Sequence, residues 1–205
     1  ICDFISQAFY EGKLKSHEET NHRSLKLHKS SLPEVGIRLI PSEHTWYSQK
    51  SVEEGIIIKT HHSELLRNHF VDTVKNIHQP ITKDDLLVVT PYNIQVNHLT
   101  DILIKDSKVG TVDKFQGQEE IAVLISMVTS TREEAPHGMD FLYSRNRLNV
   151  ALARAKCLAV VVLNLRLLEA PCRTIEQMKL VNAFCWLKEY SDNGNKMDGY
   201  FVGGE

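Results

Sequence analysis

The stretch from Thr111 to Lys156 decides the fold of this chain. It begins with the polar segment TVDKFQGQE at 111–119 and ends with the basic segment RNRLNVALARAK at 145–156. An apolar run at 121–128 lies between them and has the character of a buried strand. Open α/β sheets bind ligands at the loops that connect strand ends to helices. We therefore expect the functional residues to lie in or beside this stretch.

Two further apolar runs repeat the pattern of the run at 121–128. LLVVT at 86–90 and CLAVVVL at 157–163 lack alternation of polar and apolar residues, which is typical of parallel strands covered on both faces. Segments with apolar residues at helical spacing separate these runs. Strands alternating with helices predict one α/β domain with a mostly parallel sheet and helices on both faces. The main predicted helices are 51–77, 93–103, 142–156 and 174–190.

The first 50 residues are predicted from helix and turn signals. A helix of apolar residues at helical spacing ends at Gly12. Residues 16–34 are polar and are expected to form an exposed connection, and a short strand follows at 36–40. Ser51 and Glu54 have the spacing of a capping box at the start of the next helix.

Composition limits the classes of function. With 205 residues and a formal net charge of -2, the chain fits one domain and lacks an overall polyanion-binding character. The four cysteines contain no CxxC pair, which favours reduced thiols in a cytoplasmic protein. No apolar run is long enough to span a membrane. We expect one domain at 1–190, with 191–205 as a tail that frays.

Two arginines mark the basic segment. Arg147 and Arg154 are seven residues apart, so on a single helix they share a face. An arginine held beside the ligand edge of a sheet can stabilise the charge on a transferred phosphoryl group. From the spacing alone, a solvated basic helix face is the commoner explanation.

The polar segment offers Gln116, Gly117 and Glu119. Gly117 permits a tight turn or a close approach of the backbone to a ligand. Glu119 can accept hydrogen bonds from a ribose hydroxyl or orient an arginine. An ordinary polar turn with an exposed glutamate explains these residues equally well when they are considered alone.

A third group lies at the ends of the predicted strands. Thr90 and Asn93, with the free N–H groups of the following helix, suit a phosphate, and Tyr92 could stack on a base. Thr111 has the comparable position after the next strand, and Lys114 follows it. Spacing alone favours a simpler explanation, which is a capped turn between strand and helix.

Other chemistries find little support. His61 and His62 are adjacent, so on a helix they point about 100° apart, and no metal-site spacing occurs. Asp84 and Asp85 would face opposite ways on a strand, which excludes a nuclease carboxylate pair. No Walker A sequence, GxxxxGK[ST], is present. The 205 residues therefore cannot hold a nucleoside triphosphate alone.

The three groups, in this order, resemble the second RecA-like motor domain of superfamily 1 helicases, a P-loop NTPase-type fold. The resemblance is to the branch of the nonsense-mediated-decay RNA helicase and the DNA replication helicase-nucleases. Residues 87–95 resemble the strand-to-TPY element, 111–119 resemble motif V (TVDxFQGxE), and 147–156 resemble motif VI (RLNVAxTRA). FYEGKL at 9–14 resembles a family segment as well. The resemblance covers nearly the whole chain and is greatest to bacterial helicases fused to a RecB-like nuclease.

The resemblance implies an ATP-dependent DNA helicase. Arg154 would be the arginine finger that reaches the γ-phosphate across the cleft between two motor domains. Gln116, Gly117 and Glu119 would lie by the nucleotide, and Arg147 would lie there or only brace its helix.

The same resemblance implies the contacts with nucleic acid. Thr90, Tyr92, Asn93, Thr111 and Lys114 would face single-stranded DNA, with RNA as the alternative.

The remaining implications concern partners. The N-terminal RecA-like domain of the same protein would hold the Walker A lysine and the Mg²⁺ ligands for ATP, and a RecB-like nuclease domain could be fused to it. No membrane partner is implied. Because Ile1 is not a methionine, we expect a fragment of a longer protein. Ala153 departs from the Thr or Ser of the family, which removes a hydroxyl but leaves Arg154 in place. The alternative is a non-catalytic RecA-like scaffold that binds nucleic acid or protein.

Overall fold

A five-stranded parallel sheet is the centre of the computed structural model, which describes residues 1–43, 50–128, 145–169, 171–172 and 174–196. The strands are β1 (Arg23–Lys26), β2 (Gly36–Pro41), β3 (His69–Asp72), β4 (Ile77–Pro80), β5 (Leu86–Val89), β6 (Lys108–Gly110), β7 (Glu120–Ser126) and β8 (Ala155–Leu163). The helices are α1 (Cys2–Tyr10), α2 (Val52–Leu65), α3 (Asn93–Ile102), α4 (Arg145–Leu152) and α5 (Ile175–Asp192). The central sheet has the order β2-β8-β7-β5-β6, and all of its neighbouring strands run parallel.

The two faces of this sheet are buried by different helices. Side chains alternate between the faces along each strand. Val123 and Ile125 of β7 belong to the core formed with α1, α4 and α5, whereas Ala122 and Leu124 belong to the core formed with α2 and α3. The predicted three-layer RecA-like α/β fold, with a mostly parallel sheet and helices on both faces, is confirmed.

The predicted helix at 51–77 is wrong beyond Leu65. The structure ends α2 there and continues as the antiparallel hairpin of β3 and β4. Asn68 fixes the break, because its side-chain amide donates to the Glu64 carbonyl and its backbone carbonyl accepts the N–H of Ile81. Phe70 is buried on a strand, where aromatic residues are favoured.

The expectation that 16–34 is only an exposed connection is also wrong. Residues 23–26 form β1, which pairs with β3 and completes a separate three-stranded antiparallel sheet. Leu25 of β1 is fully buried, and its N–H donates to the carbonyl of Glu34. One leucine among polar residues gives little signal of a strand whose partner lies more than 40 residues away.

The predicted helix at 142–156 ends earlier than expected. Helix α4 ends at Leu152, and β8 begins three residues later, where Ala155 is paired with Glu120 of β7. Arg154 therefore lies in the turn after the helix, and the prediction that it shares a helix face with Arg147 is wrong. The predicted polar loop at 129–140 and the start of this helix at 142–144 lie outside the described residues.

The C-terminal helix covers one edge of the sheet. Ser191, near the end of α5, accepts a hydrogen bond from the N–H of Leu39 at 2.9 Å. The side chain of Asn195, just past the helix, accepts one from the N–H of Ile37 at 2.6 Å. The prediction that a tail begins at Ser191 is thus wrong for residues 191–196, which hold the edge strand β2. No helix in the described ranges is both long and apolar enough to cross a membrane.

Candidate functional site

A cleft opens at the carboxyl ends of β5, β6 and β7. It has a volume of about 260 Å³ and lies at the edge where parallel sheets bind ligands. The cleft brings together Thr90, Asn93 and Thr111, three of the predicted nucleic-acid contacts. The apolar part of its wall comes from β5, β7 and α4. The lining residues are Val89, Thr90, Pro91, Asn93, Thr111, Val112, Asp113, Ile125, Met127, Arg147, Leu148 and Ala151.

The polar lining of the cleft includes several groups that can donate hydrogen bonds. The Thr90 side chain is fully buried in the cleft wall, and its hydroxyl has no hydrogen-bond partner among the residues that the structure describes. Asn93 is exposed and begins α3, whose N-cap residue makes no side-chain cap. Thr111 follows directly after β6. Hydroxyl, amide and backbone N–H donors in this arrangement suit the oxygens of a phosphate.

Two predicted contacts lie outside this group. Tyr92 is only 4% exposed and packs in the hydrophobic core beneath the cleft, so the prediction that it stacks on a base is wrong for this conformation. Lys114 does not line the cleft. Its ammonium group donates to the Val109 carbonyl at 2.7 Å and lies 5.7 Å from the centre of the Phe115 ring.

Arg147 lies in the cleft rather than beside Arg154. It is on the first turn of α4, and the buried Leu148 and Ala151 of the same helix pack against the sheet. Its Nη2 atom is 3.7 Å from the Oδ2 atom of Asp113, which comes from the short 3-10 helix at 112–115. Asp113 is a cleft residue that the sequence did not single out, although it stands inside TVDKFQGQE.

The second group of predicted residues lies at the opposite edge of the sheet. β7 begins at Glu120 and β8 at Ala155, so Glu119 and Arg154 are neighbours at the amino ends of these strands. The N–H of Glu120 donates to the carbonyl of Arg154 at 2.9 Å. A strand as long as β7 places roughly 20 Å between its ends. Glu119 and Arg154, which the resemblance assigns to the nucleotide, therefore lie at the opposite edge of the sheet from the cleft.

Arg154 is held by its own backbone turn. Its Nε atom donates to the carbonyl of Val150 at 3.2 Å, which leaves the outer guanidinium nitrogens without a bond in the described part of the chain. No carboxylate forms an ion pair with it there. Glu119 is exposed beside it. A cation for a phosphate and a carboxylate for sugar hydroxyls fit one side of a nucleoside triphosphate.

The segment 111–119 connects the two edges. Phe115, only 3% exposed, inserts into the core and anchors the segment to the sheet. Gln116 and Gly117 follow in an exposed turn, where Gly117 has φ +81° and open space around its Cα. This positive φ supplies the reason for a glycine here. The structure places Gln116 and Gly117 between the two edges.

A buried polar network supports the carboxyl edge, and the sequence did not predict it. Ser51 caps α2 as expected, but the Glu54 side chain turns inward instead of closing a capping box. Its carboxylate accepts hydrogen bonds from the Ser126 hydroxyl at 2.6 Å and the Val128 N–H at 2.9 Å. Gln95 donates to the same Ser126 hydroxyl. The partners are too distant in sequence to leave a local signal.

The network holds Val128 in an unusual backbone conformation. Its φ of +68° is unusual for a β-branched residue and costs conformational energy. The Glu54 carboxylate binds the N–H of this residue where the chain leaves β7. Met127, the residue before it, lines the cleft. The network therefore fixes one wall of the cleft.

Comparisons with known proteins give similarities to helicases. The model of the AAA_12 family, described as an AAA domain, matches residues 1–166, a range that contains both edges. DNA polymerase alpha-associated DNA helicase A of Saccharomyces cerevisiae is 29% identical over 192 residues, or 82% of this chain and 26% of that protein. An uncharacterized ATP-dependent helicase of Methanocaldococcus jannaschii is 30% identical over 177 residues, or 82% of this chain and 25% of that protein.

Similarity extends to RNA helicases. The probable RNA helicase armi of Drosophila melanogaster is 34% identical over 111 residues, or 50% of this chain and 9% of that protein. This chain spans about a quarter of the length of the first two relatives and less of the third. The similarities identify a helicase-type domain.

Proposed function

We propose, from the premise that this chain belongs to the AAA_12 family of AAA domains, that it is the C-terminal RecA-like motor domain of an ATP-dependent DNA helicase of superfamily 1. The observation that carries the proposal is the division of the predicted residues between two edges. Thr90, Asn93 and Thr111 line a cleft of about 260 Å³, while Glu119 and Arg154 stand at the other edge. A helicase motor needs one site for the nucleic acid along which it moves and another for the ATP that it hydrolyses.

At the amino edge the chain supplies one side of an ATP site. Arg154 is the arginine finger, and its outer nitrogens, which have no partner in the described residues, are directed to the γ-phosphate in this proposal. Glu119 accepts from the sugar hydroxyls, and the turn at Gln116 and Gly117 approaches the nucleotide. The N-terminal RecA-like domain of the same protein supplies the Walker A lysine and the Mg²⁺ ligands. Bound Mg²⁺ would neutralise phosphate charge during hydrolysis.

At the carboxyl edge the chain holds single-stranded DNA. Thr90, Asn93 and Thr111 donate hydrogen bonds to its backbone, with Lys114 near the same strand. Closure of the two motor domains on ATP and their opening after hydrolysis move the strand past the cleft. In this proposal the parent protein is cytoplasmic, and a RecB-like nuclease domain could be fused to it, as the resemblance to bacterial helicase-nucleases implies.

RNA is the second candidate for the strand. The 34% identity to a probable RNA helicase over half of this chain favours it. Backbone contacts of the kind proposed for the cleft do not depend on the sugar, whereas a 2′-hydroxyl contact would. Binding of matched dT and rU oligonucleotides, measured by fluorescence anisotropy, separates the two. Tighter binding of rU would replace DNA by RNA in the proposal.

The half-site is tested with ATP hydrolysis. The 205-residue chain alone is expected to bind ATP weakly and to hydrolyse none, because it contributes one side of the site. The full-length protein is expected to hydrolyse ATP and to do so faster with single-stranded DNA, as measured by phosphate release. Hydrolysis by the isolated chain would contradict the shared site. A full-length protein that binds the strand and lacks ATPase activity would instead be a scaffold.

A further inference from the structure

The position of Arg147 separates it from the nucleotide edge. It lies in the first turn of α4 on the cleft side, while Arg154 follows the end of the same helix and lies beside Glu120 at the amino edge. The buried Leu148 fixes the rotation of the helix against the sheet. With its side chain about one third exposed, Arg147 stands in the cleft wall with Thr90 and Thr111.

Asp113 is the acidic side chain among the described residues that line the cleft. Its carboxylate oxygen lies 3.7 Å from Arg147, beyond hydrogen-bond distance, and its side chain is 76% exposed. Such a pair is weak because water and salt screen it. The backbone beneath Asp113 is fixed, since Phe115 of the same short helix is buried in the core. Only the side chain needs to move for the pair to open.

The polar groups around Arg147 and Asp113 can bind an anion. The Thr90 hydroxyl is buried in the cleft wall without a hydrogen-bond partner among the described residues, which is a cost that a ligand would remove. Asn93 and the first N–H groups of the ten-residue helix α3 open onto the same cleft. An anion held by these donors would lie in the space that also borders Arg147.

We propose that Arg147 binds a phosphate of the nucleic-acid strand and that Asp113 occupies the guanidinium until this phosphate displaces it. The inference rests on the proposed function, because it requires a strand in the cleft. It deepens that function by assigning Arg147 to the strand and not to ATP. Asp113 then acts as an internal competitor that weakens binding of every sequence equally, since a phosphate contact carries no base information.

The test uses the full-length protein and a fluorescent dT oligonucleotide over a range of salt concentrations. Arg147→Gln is expected to weaken binding about tenfold and to reduce the slope of log K against log salt by about 1. Asp113→Asn is expected to strengthen binding about two- to fivefold. In the double variant the effect of Asp113→Asn should disappear, because its partner is gone. Asp106→Asn is the matched control, since Asp106 pairs with Lys83 at 3.6 Å outside the cleft.

The outcomes distinguish this inference from the proposed function. If Thr111→Val weakens binding but Arg147→Gln and Asp113→Asn do not change it, the inference fails and the strand cleft stands. If Arg147→Gln raises the KM for ATP without altering strand affinity, Arg147 belongs to the nucleotide and the inference is overturned. If Asp113→Asn acts no more than Asp106→Asn, the competition is absent. A wild-type protein that binds no strand refutes the proposed function itself.

Discussion

The two edges of the central sheet each carry an arginine from the same helix and turn, and they present it differently. At the carboxyl edge, Arg147 lies in a formed cleft with Asp113 at 3.7 Å. At the amino edge, Arg154 has no acidic partner in the described part of the chain and is held only through its Nε atom. The difference supports the proposal that one site is built within this domain, whereas the other is one side of a site shared with a further domain.

Removal of Arg154 should give the largest difference between the effects on ATP hydrolysis and on DNA binding. In the full-length protein, Arg154→Ala should reduce ATP hydrolysis by about 10³–10⁵-fold, the range for loss of an arginine at a γ-phosphate. Binding of single-stranded DNA should stay near the wild-type value, because the cleft is roughly 20 Å away. Phosphate release and anisotropy measure the two quantities. Lys156→Ala, an exposed cation two residues further on, is the control. Near-normal turnover in Arg154→Ala would remove the finger assignment.

A pair of conservative variants tests each edge in turn. Glu119→Gln should raise the KM for ATP about tenfold, because a hydrogen bond to a charged group is lost. Thr111→Val should weaken strand binding about three- to tenfold through loss of a neutral hydrogen bond. Each variant should leave the other ligand unaffected. Thr100→Val removes an exposed hydroxyl outside the cleft and serves as the control. If both variants altered both ligands equally, the assignment of Glu119 to ATP and of Thr111 to the DNA strand would fail.

Glu54→Gln examines what holds the carboxyl edge. The Oε2 atom of Glu54 accepts from Ser126 and Val128 and its Oε1 atom accepts from Ser42, whereas an amide has only one acceptor oxygen, so the free energy of unfolding should fall by about 1 kcal/mol. The affinity for single-stranded DNA should fall several-fold, while the KM for ATP should stay unchanged. Urea melts and anisotropy measure these effects. Glu53→Gln, at the exposed neighbouring position, should change neither. An equal loss at both edges would make Glu54 a general stabiliser of the fold.

The smallest expected effect concerns the dependence of stability on pH. Burial lowers the pKa of His62 below its ordinary value of 6.5, so the unfolded chain binds the proton more tightly than the folded domain. Stability should therefore decrease as pH falls below about 6.5. His62→Gln should flatten this dependence in urea melts at pH 7.5 and 5.5, although His98, whose pKa is also lowered by burial, keeps part of it. His78→Gln, at an exposed position, should not flatten it.

The sequence predicted the sheet better than its surroundings. Uninterrupted apolar runs such as Leu86–Val89 leave few alternatives to a strand buried on both faces, and these strands were predicted correctly. The small antiparallel sheet was missed, because residues 69–80 continue the helical spacing of α2. The strand state of residues 69–72 depends on pairing with residues 23–26, which lie more than 40 positions away.

The candidate site was also predicted only in part. Thr90, Asn93 and Thr111 were grouped correctly in space, because ends of parallel strands meet at one edge. The roles assigned to them and to Arg154 remain predictions. Tyr92 was misjudged because the direction of a side chain at a strand end depends on packing, which buries it in the core. Glu54 was predicted to belong to a local capping box, although its partner Ser126 lies at the carboxyl end of β7.

The segment 111–119 has a consequence for how the two ligands affect each other. Thr111 stands at one edge, Glu119 at the other, and Phe115 fastens the chain between them to the sheet. Under the proposed function, a rearrangement of this short connection that moves both of its ends would change the affinities for ATP and for the DNA strand together. Thermodynamic reciprocity then requires that the factor by which a bound strand tightens ATP binding equals the factor by which ATP tightens strand binding. Nine residues would thus carry the coupling free energy of the motor.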